Sequence, residues 1–449
     1  MKGARFMKKI FKLTLAVFIV LMVFLALTSC SEQQRAVNLL NKLDDILQEA
    51  DSFSVENELT VTGKSGDRYL TLTQTTTQDV MGKNSGVDSA SLIKVIYDYD
   101  YQLDSFDSMV MVMQGYNAEY MYRRVILGNT EISLKSPVTE ENKQSFVASL
   151  LGSTAIDQDT LSYTEQDGCM IVGISSLNGQ AIEEMGLTIG ALTPGYDITS
   201  ANVTITVSED YSSWESRVDY VFEKSGQKQN DGEYTPSATL VASFGGFNST
   251  TVEEVNLDGY IECDDVGIIS RVANDLTDKL LLPHSGASID VVNSFSYHNM
   301  SFSLKQCDII SYGTNDKGFY SKIVTLADDE RKETTYSEGV KKEGSRTSYL
   351  TDTEERINIF SAITVSAYND LLICDVQRLE SDPNTYSMKV FIGETYPNYE
   401  DISSIRIIVT YEDGFLSKMK VQVRCYAPVN GERTFQNIDY EIKYFAPTE

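Results

Sequence analysis

The amino-acid sequence predicts an α+β protein made of two tandem modules, each an antiparallel β-sheet with helices laid against one face. Three observations predict this class. Short segments alternate apolar and polar residues along most of the chain. An amphipathic helix opens each half, and the same three elements recur in the same order in both halves. The alternative is one large β-protein whose halves are alike by coincidence.

The chain opens with an export signal. Residues 1–12 carry five basic residues and no acid, and residues 13–27 contain no charge. As a helix, residues 13–27 would rise about 22 Å, which is short of the roughly 30 Å hydrocarbon core of a bilayer. A permanent transmembrane helix is therefore the weaker interpretation.

The apolar run ends in the motif Leu27-Thr28-Ser29-Cys30. An aliphatic residue, two small residues and a cysteine in this order resemble the lipobox of bacterial lipoproteins. The resemblance implies that residues 1–29 are a signal peptide and that Cys30, the first mature residue, receives a diacylglycerol. Two acyl chains hold firmly, at roughly 0.8 kcal/mol per buried methylene. The predicted location is the extracytoplasmic face of the cell membrane, with residues 30–35 as a short tether. An ordinary secretory signal is the alternative.

The mature body is strongly acidic. Without the signal, 32 basic residues stand against 65 acids, a net charge of −33. This charge excludes nucleic acid as a partner and gives no attraction to an anionic lipid surface. A solvated, self-repelling exterior is its simplest meaning.

The cysteines after Cys30 do not indicate a disulfide framework. There are five, an odd number, and no two are closer than 44 residues. We expect most of them to be buried small apolar residues. One bridge, for example Cys374 to Cys425, is left open.

A repeated amphipathic helix begins each module. Apolar residues keep helical spacing over residues 37–50 and again over residues 266–280. Each helix leads into alternating strand sequence, for example at Met300, Phe302 and Leu304 in the second copy.

The second and third repeated elements are a short helix and a hairpin. The helix opens with Thr139-Glu140-Glu141 and again with Thr353-Glu354-Glu355, where threonine can cap the free amides. The hairpins lie at residues 203–222 and 405–423. The offset between copies drifts from about 230 to 214 and then 202, which indicates loops of unequal length on one framework. The predicted modules are residues 36–258 and 259–449.

Strands that are apolar on one side only indicate antiparallel sheets with one face on a core, and the helices must bury their own apolar stripes there. This order resembles the LolA-like superfamily of lipoprotein- and lipid-carrying envelope proteins. The features that carry the resemblance are the opening helix that runs into a strand at residues 39–61, and the late hairpin at residues 409–419. The first copy departs from it, with Tyr211-Ser212-Ser213-Trp214 where a glycine turn is expected.

The resemblance implies strongly curved sheets, nearly half-barrels, with helices on the concave side and an apolar cavity between them. The alternative for an apolar helix stripe is ordinary core. The candidate ligand-binding positions are Leu39, Leu43, Ile46, Leu47, Phe146 and Leu150 in the first module, with Ile269, Val272, Leu276 and Phe360 in the second.

The sequence offers no catalytic or metal-binding motif. The two histidines, His284 and His298, are too far apart for a His-x-x-x-His zinc pair, and no Gly-x-Ser-x-Gly elbow occurs. The pair Asp98 and Asp100 lacks the third ligand and the glycine of a calcium loop. We therefore expect no metal, no cofactor and no enzyme activity.

Three functions are compared. The first is a membrane-anchored, non-catalytic surface lipoprotein that binds a lipid or another apolar ligand between sheet and helices. The second is an envelope scaffold that binds another envelope protein and no small ligand, which the acidity and the 26 tyrosines favour. The third is an enzyme acting on cell wall or glycan, which would need clustered acids in a cleft.

Overall fold

The computed structural model describes fourteen stretches of the chain. They are residues 32–65, 68–82, 89–100, 105–139, 160–178, 182, 196–224, 234–281, 285–315, 317–327, 330–350, 352–364, 369–393 and 401–445. The export signal and Cys30 lie outside the described residues, as do Phe146, Leu150 and the helix predicted from Thr139.

A helix, α1, spans residues 32–49 and precedes the strands of the first sheet. These strands are β1 (Ser52–Ser65), β2 (Arg68–Met81), β3 (Ser89–Asp100), β4 (Ser105–Tyr116), β5 (Tyr120–Leu127), β6 (Thr130–Pro137), β7 (Leu161–Gln166), β8 (Cys169–Asn178), β9 (Tyr196–Ser208), β10 (Trp214–Lys224), β11 (Tyr234–Gly245) and β12 (Ile261–Glu262).

The second half begins with helix α2 (Gly267–Leu281) and contains a third helix, α3 (Asp352–Thr364), and a short 3-10 helix (Asp370–Leu372). Its strands are β13 (Ser285–Tyr297), β14 (Met300–Asn315), β15 (Gly318–Ala327), β16 (Glu330–Ser337), β17 (Val340–Glu343), β18 (Arg346–Tyr349), β19 (Ile373–Leu379), β20 (Asp382–Val390), β21 (Ile402–Glu412), β22 (Phe415–Val429) and β23 (Glu432–Phe445).

The two sheets have the same connectivity. The first has the order β12-β6-β5-β4-β3-β2-β1-β11-β10-β9-β8-β7, and the second β18-β17-β16-β15-β14-β13-β23-β22-β21-β20-β19. In each, a meander of six strands and a meander of five are joined by antiparallel pairing of the first strand with the last, β1 with β11 and β13 with β23. The strand β12 pairs in parallel with β6, so residues 261–262 lie on the first sheet. The module bounds 36–258 and 259–449 stay predictions.

The prediction of an α+β fold with helices packed on the concave face of each sheet is wrong. The described chain is mainly β, with 23 strands and three α-helices of several turns. The second sheet has eleven strands, and at about 4.8 Å per strand it is about 50 Å wide. A helix of the length of α2 rises only about 22 Å. Such helices cover part of a sheet but do not form a layer across it.

Several local predictions are confirmed. The opening helices are α1 and α2, and the motif at Thr353 lies in the first turn of α3. The late hairpins are β9–β10 and β21–β22, with Val207 opposite Trp214 and Val409 opposite Met419.

We call the face that contacts the helices the inner face of each sheet. In the second sheet it includes Tyr444, whose hydroxyl donates to the carbonyl of Ile363 in α3 at 2.9 Å. By strand register the same face carries Ala287 and Ile289 on β13, and both are buried. One contiguous hydrophobic core contains these residues and the buried positions of the first sheet.

The segment after β12 joins the two sheets. The amide of Cys263 donates to the carbonyl of Lys135 on β6, and the amide of Asp264 donates to the carbonyl of Val376 on β19. Nearby, the buried guanidinium of Arg123 donates two hydrogen bonds to Asp370. One goes to the backbone carbonyl of Asp370 at 3.0 Å, and the other goes to the Asp370 carboxylate at 2.9 Å. An ion pair with a buried partner between the sheets resists their separation.

The five cysteines after Cys30 are free thiols. Only Cys263 is buried, and burial raises its pKa to about 12. The expectation that most are buried is therefore wrong, because the other four lie on strands whose faces are partly exposed.

Helix α3 is attached to the sheet through two carboxylates of its first turn. Asp352 accepts hydrogen bonds from the amide of Phe319 at 2.8 Å and from the hydroxyl of Tyr336 at 2.6 Å. At Gly318, which has a φ of +104°, a Cβ would lie 2.5 Å from the Asp352 carboxylate, so a side chain there would displace it.

The second carboxylate, Glu355, is fully buried. It accepts hydrogen bonds from Ser321 at 2.6 Å, Lys341 at 2.8 Å and Asn358 at 3.2 Å. A buried carboxylate with three donors is satisfied, and we assign it a structural role.

We predict that Glu355→Ala destabilises the protein by about 3 kcal/mol, because it leaves the Lys341 ammonium and the Ser321 hydroxyl without their buried acceptor. The measurement is urea unfolding followed by circular dichroism. The control is Lys317→Ala, which removes an exposed ion pair with Glu338 and should leave the midpoint unchanged. An unchanged midpoint for Glu355→Ala would show that the network does not hold α3.

Candidate functional site

The predicted cavity-wall positions that are described lie in or against the core. Leu39 and Leu43 are buried, and the second-module positions Ile269, Val272 and Leu276 have no exposed surface. Ile46 and Leu47 are half-buried and pack against the same core. Phe360 falls within α3, but its side chain lies outside the described part of the structure.

An apolar surface is instead uncovered at the far end of the second sheet. Along β13 the inner-face positions run from Ala287 and Ile289 out to Phe295 and Tyr297. Their cross-strand partners on β14 are Phe302 opposite Phe295 and Met300 opposite Tyr297. We call the set Phe295, Tyr297, Met300, Phe302 and Leu304 the open face.

The open face results from strands of unequal length. The β14–β15 pairing begins at Gln306, opposite Ala327, so residues 300–305 extend past the end of β15. On the other side, β22 and β23 pair out to Val429 and Glu432, beyond the last contact of β23 with β13. The ends of the four central strands therefore extend past their neighbours. We call these ends, residues 295–305 of β13 and β14 and residues 426–435 of β22 and β23, the lip.

Three of the five open-face side chains are exposed although they are large and apolar, and Phe295 and Tyr297 are half-buried. Met300 is 58% exposed, Leu304 57% and Phe302 38%. Phe295 and Phe302 stack with their ring centroids 5.3 Å apart, which orders the centre of the surface. Contiguous exposed apolar surface of this kind marks an interaction site more often than single exposed residues do.

In the first sheet the corresponding strand is β1, whose side chains are described as far as Gly63. It buries Phe53, Val55, Leu59 and Val61. These four side chains are more deeply buried than those of Phe295 and Tyr297 at the far end of β13.

The open face is uncharged in a very acidic protein. Residues 293–304 contain no Asp, Glu, Lys or Arg. At its inner boundary the Asn293 amide donates to the Gln436 side-chain oxygen at 2.8 Å. Further in lies Tyr440, whose pKa is raised by burial, which indicates a poorly hydrated surface.

The opposite face of the lip carries a second aromatic pair. Tyr426 and Phe435 are directly opposite in the β22–β23 register, one position out of phase with the inner-face pair Cys425 and Gln436. Their rings are 5.3 Å apart in an edge-to-face arrangement, and both are about two-fifths exposed. The Arg433 guanidinium lies 4.6 Å from the Tyr426 ring centroid.

The sequence predicts Met300, Phe302 and Leu304 as part of a strand, and nothing in their pattern predicts that they form a site. The only signal available was the absence of charge over residues 293–304. Among the described residues, no cluster of three or more His, Cys, Asp or Glu side chains could hold a metal ion. Of the helices that the structure describes, none has the length and apolarity needed to cross a bilayer.

No protein-family model matches the chain, and no curated protein matches it. An AttH candidate from Nitrosomonas europaea aligns over 88% of this chain and 93% of its own, with 8% identity and a TM-score of 0.15. Transferrin binding protein B from Haemophilus parasuis aligns over 88% and 76%, with 7% identity and a TM-score of 0.16. A protein of unknown function from Nostoc punctiforme aligns over 89% and 97%, with 9% identity and a TM-score of 0.15. Similarity this low establishes neither family nor function, and the resemblance to the LolA-like superfamily stays a prediction.

Proposed function

We propose that this protein is a non-catalytic lipoprotein, anchored through Cys30 on the extracytoplasmic face of the cell membrane, that binds an acyl chain or another apolar ligand on the open face. The observation that carries this proposal is the exposure of Met300, Phe302 and Leu304 on the same face as the core. A ligand laid there continues the apolar packing that the helices provide at the other end of the sheet.

The energetics favour a ligand with a long apolar chain. Fully burying a Phe, Leu or Met side chain is worth about 1.5–3 kcal/mol, and each of the three has roughly half of that still to gain. Each ligand methylene that leaves water adds about 0.8 kcal/mol. Association costs several kcal/mol, so these gains suit micromolar binding of a chain of about ten methylenes.

Charge favours the same ligand class. The acidic body repels anionic surfaces, whereas the open face has no charged residue that would need to be desolvated. The anchor at Cys30 lies two residues before α1, which keeps the body close to a membrane that supplies lipid.

The second candidate is docking of another envelope protein on the lip. The observation that favours it is the Tyr426–Phe435 pair, which places exposed aromatic rings on the face opposite the open face. Aromatic residues are enriched at protein interfaces. A protein partner that binds the lip from both sides would contact both faces, whereas an acyl chain contacts only the open face.

We predict that 11-(dansylamino)undecanoic acid binds the protein and that Phe302→Asp weakens this binding about tenfold, because the ligand must then desolvate a carboxylate. Dansyl fluorescence measures the affinity. The matched control is Phe435→Asp, a similarly exposed ring on the opposite face of the lip, which should bind the probe as the parent does. Equal losses from both variants would favour the docking function, and no probe binding by the parent would refute the proposal.

We predict that Cys30→Ala abolishes lipid attachment. Cells grown with radiolabelled palmitate should label the parent protein and the control Cys169→Ala but not Cys30→Ala. In Triton X-114 partitioning the variant should move from the detergent phase to the aqueous phase, because the acyl chains supply its membrane affinity. Detergent-phase partitioning of Cys30→Ala would show that residues 13–27 are the anchor.

A further inference from the structure

A second surface site lies in the first module, between α1 and two turns. One turn, residues 209–213, connects β9 to β10, and the other, residues 246–250, follows β11. Together with α1 they form an open groove of about 580 Å³. The residues that line it include Lys42, Ile46, Asp210, Tyr211, Phe247 and Ser249.

The first turn holds Tyr211 in an unusual conformation. Tyr211 has a φ of +58°, a left-handed backbone that bulky residues rarely adopt. Asp210 fixes the turn by accepting hydrogen bonds from the amide of Ser212 at 3.0 Å and its hydroxyl at 2.7 Å. These bonds lower the pKa of Asp210, whose carboxylate lines the groove. A strained backbone that surrounding contacts hold in place is typical of a binding site whose side chains are positioned before a ligand binds.

The second turn holds Phe247 with equal firmness. Its ring stacks on Trp214 at a centroid distance of 4.7 Å, and Trp214 stacks on Phe244 at 5.3 Å. Next to it, the side-chain oxygen of Asn248 accepts a hydrogen bond from the amide of Asp51, and the backbone amide of Asn248 donates to the carbonyl of Ser52. These two bonds hold the turn against the start of β1. The groove thus has two fixed aromatic rings.

The second module shows the same contact in a closed form. Lys42 of α1 lies over the Tyr211 ring at 3.6 Å, and Arg271 of α2 lies over the Tyr411 ring at 4.2 Å. There the β21–β22 turn is only residues 413–414, and Arg271 donates to the Gly414 carbonyl at 3.2 Å across it. The longer turn of the first module, whose sequence departs from the glycine turn, contributes Asp210, Tyr211 and Ser212 to the groove.

We propose that this groove binds a neutral saccharide unit. Two rings and Ile46 offer apolar surface, while one ammonium, one carboxylate and serine hydroxyls offer donors and acceptors with no net charge. A pyranose has the matching structure, since its C–H faces are apolar and hydroxyls surround its rim. An anionic ligand is disfavoured by Asp210 and by the charge of the body, and an acyl chain by the polar groups.

The test uses N,N′-diacetylchitobiose and cellobiose as probes. Trp214 is the only tryptophan in the chain and stacks directly on Phe247, so its fluorescence reports ligand in the groove. We expect at least one disaccharide to change this fluorescence in a saturable way and to give saturation-transfer NMR signals. The absence of both responses for both sugars overturns the proposal.

Two substitutions then locate the binding. Tyr211→Ala should weaken the affinity about tenfold, whereas Tyr211→Phe, which keeps the ring, should retain most of it. If Tyr211→Ala fails to fold by circular dichroism, Lys42→Gln on the exposed side of α1 serves instead. The control Tyr349→Ala alters an exposed ring of the other sheet and should bind normally. Undiminished binding by the groove variants overturns the proposal, and none of these outcomes depends on the open face.

Discussion

The pairing of the first strand of each sheet with its last strand is the contact on which the rest of the structure depends. Ser54 lies opposite Gly245 and Gly286 opposite Phe445, across separations of more than 150 residues. Bringing residues so far apart in sequence together costs more chain entropy than closing a local hairpin. The burial of apolar side chains in the core must offset this cost. The pairings of β1 with β11 and of β13 with β23 join the two meanders of each sheet into one continuous sheet.

The functional proposals follow from how much of that face is covered. In the first sheet β1 buries Phe53, Val55, Leu59 and Val61, whereas in the second sheet burial along β13 stops after Ile289. Strand overhang beyond β15, rather than a special motif, creates the surface at Met300 and Phe302.

Local elements were predictable because they depend on nearby residues. Helical spacing located α1 and α2, and the acids after Thr353 located α3, although the tie from Asp352 to Tyr336 is long-range and left no trace in the pattern. The predicted α+β class was wrong because the apolar stripe of a helix does not indicate how many strands form the sheet against which the helix packs. The open face was missed because exposure of Phe302 depends on where other strands end. The predicted cavity-wall position Ile269 has no exposed surface, and its role in ligand binding stays a prediction.

The most direct measurement of the account is methyl NMR of protein labelled at methionine, with a soluble paramagnetic reagent. Met300 is 58% exposed, whereas Met121 is 2% exposed and Met388 and Met419 are fully buried. We predict that the reagent broadens the Met300 methyl signal strongly and leaves the other three sharp, and that a fatty acid restores the Met300 signal. A Met300 methyl group that is protected in the free protein would contradict it, because the inner face of the second sheet would then be covered.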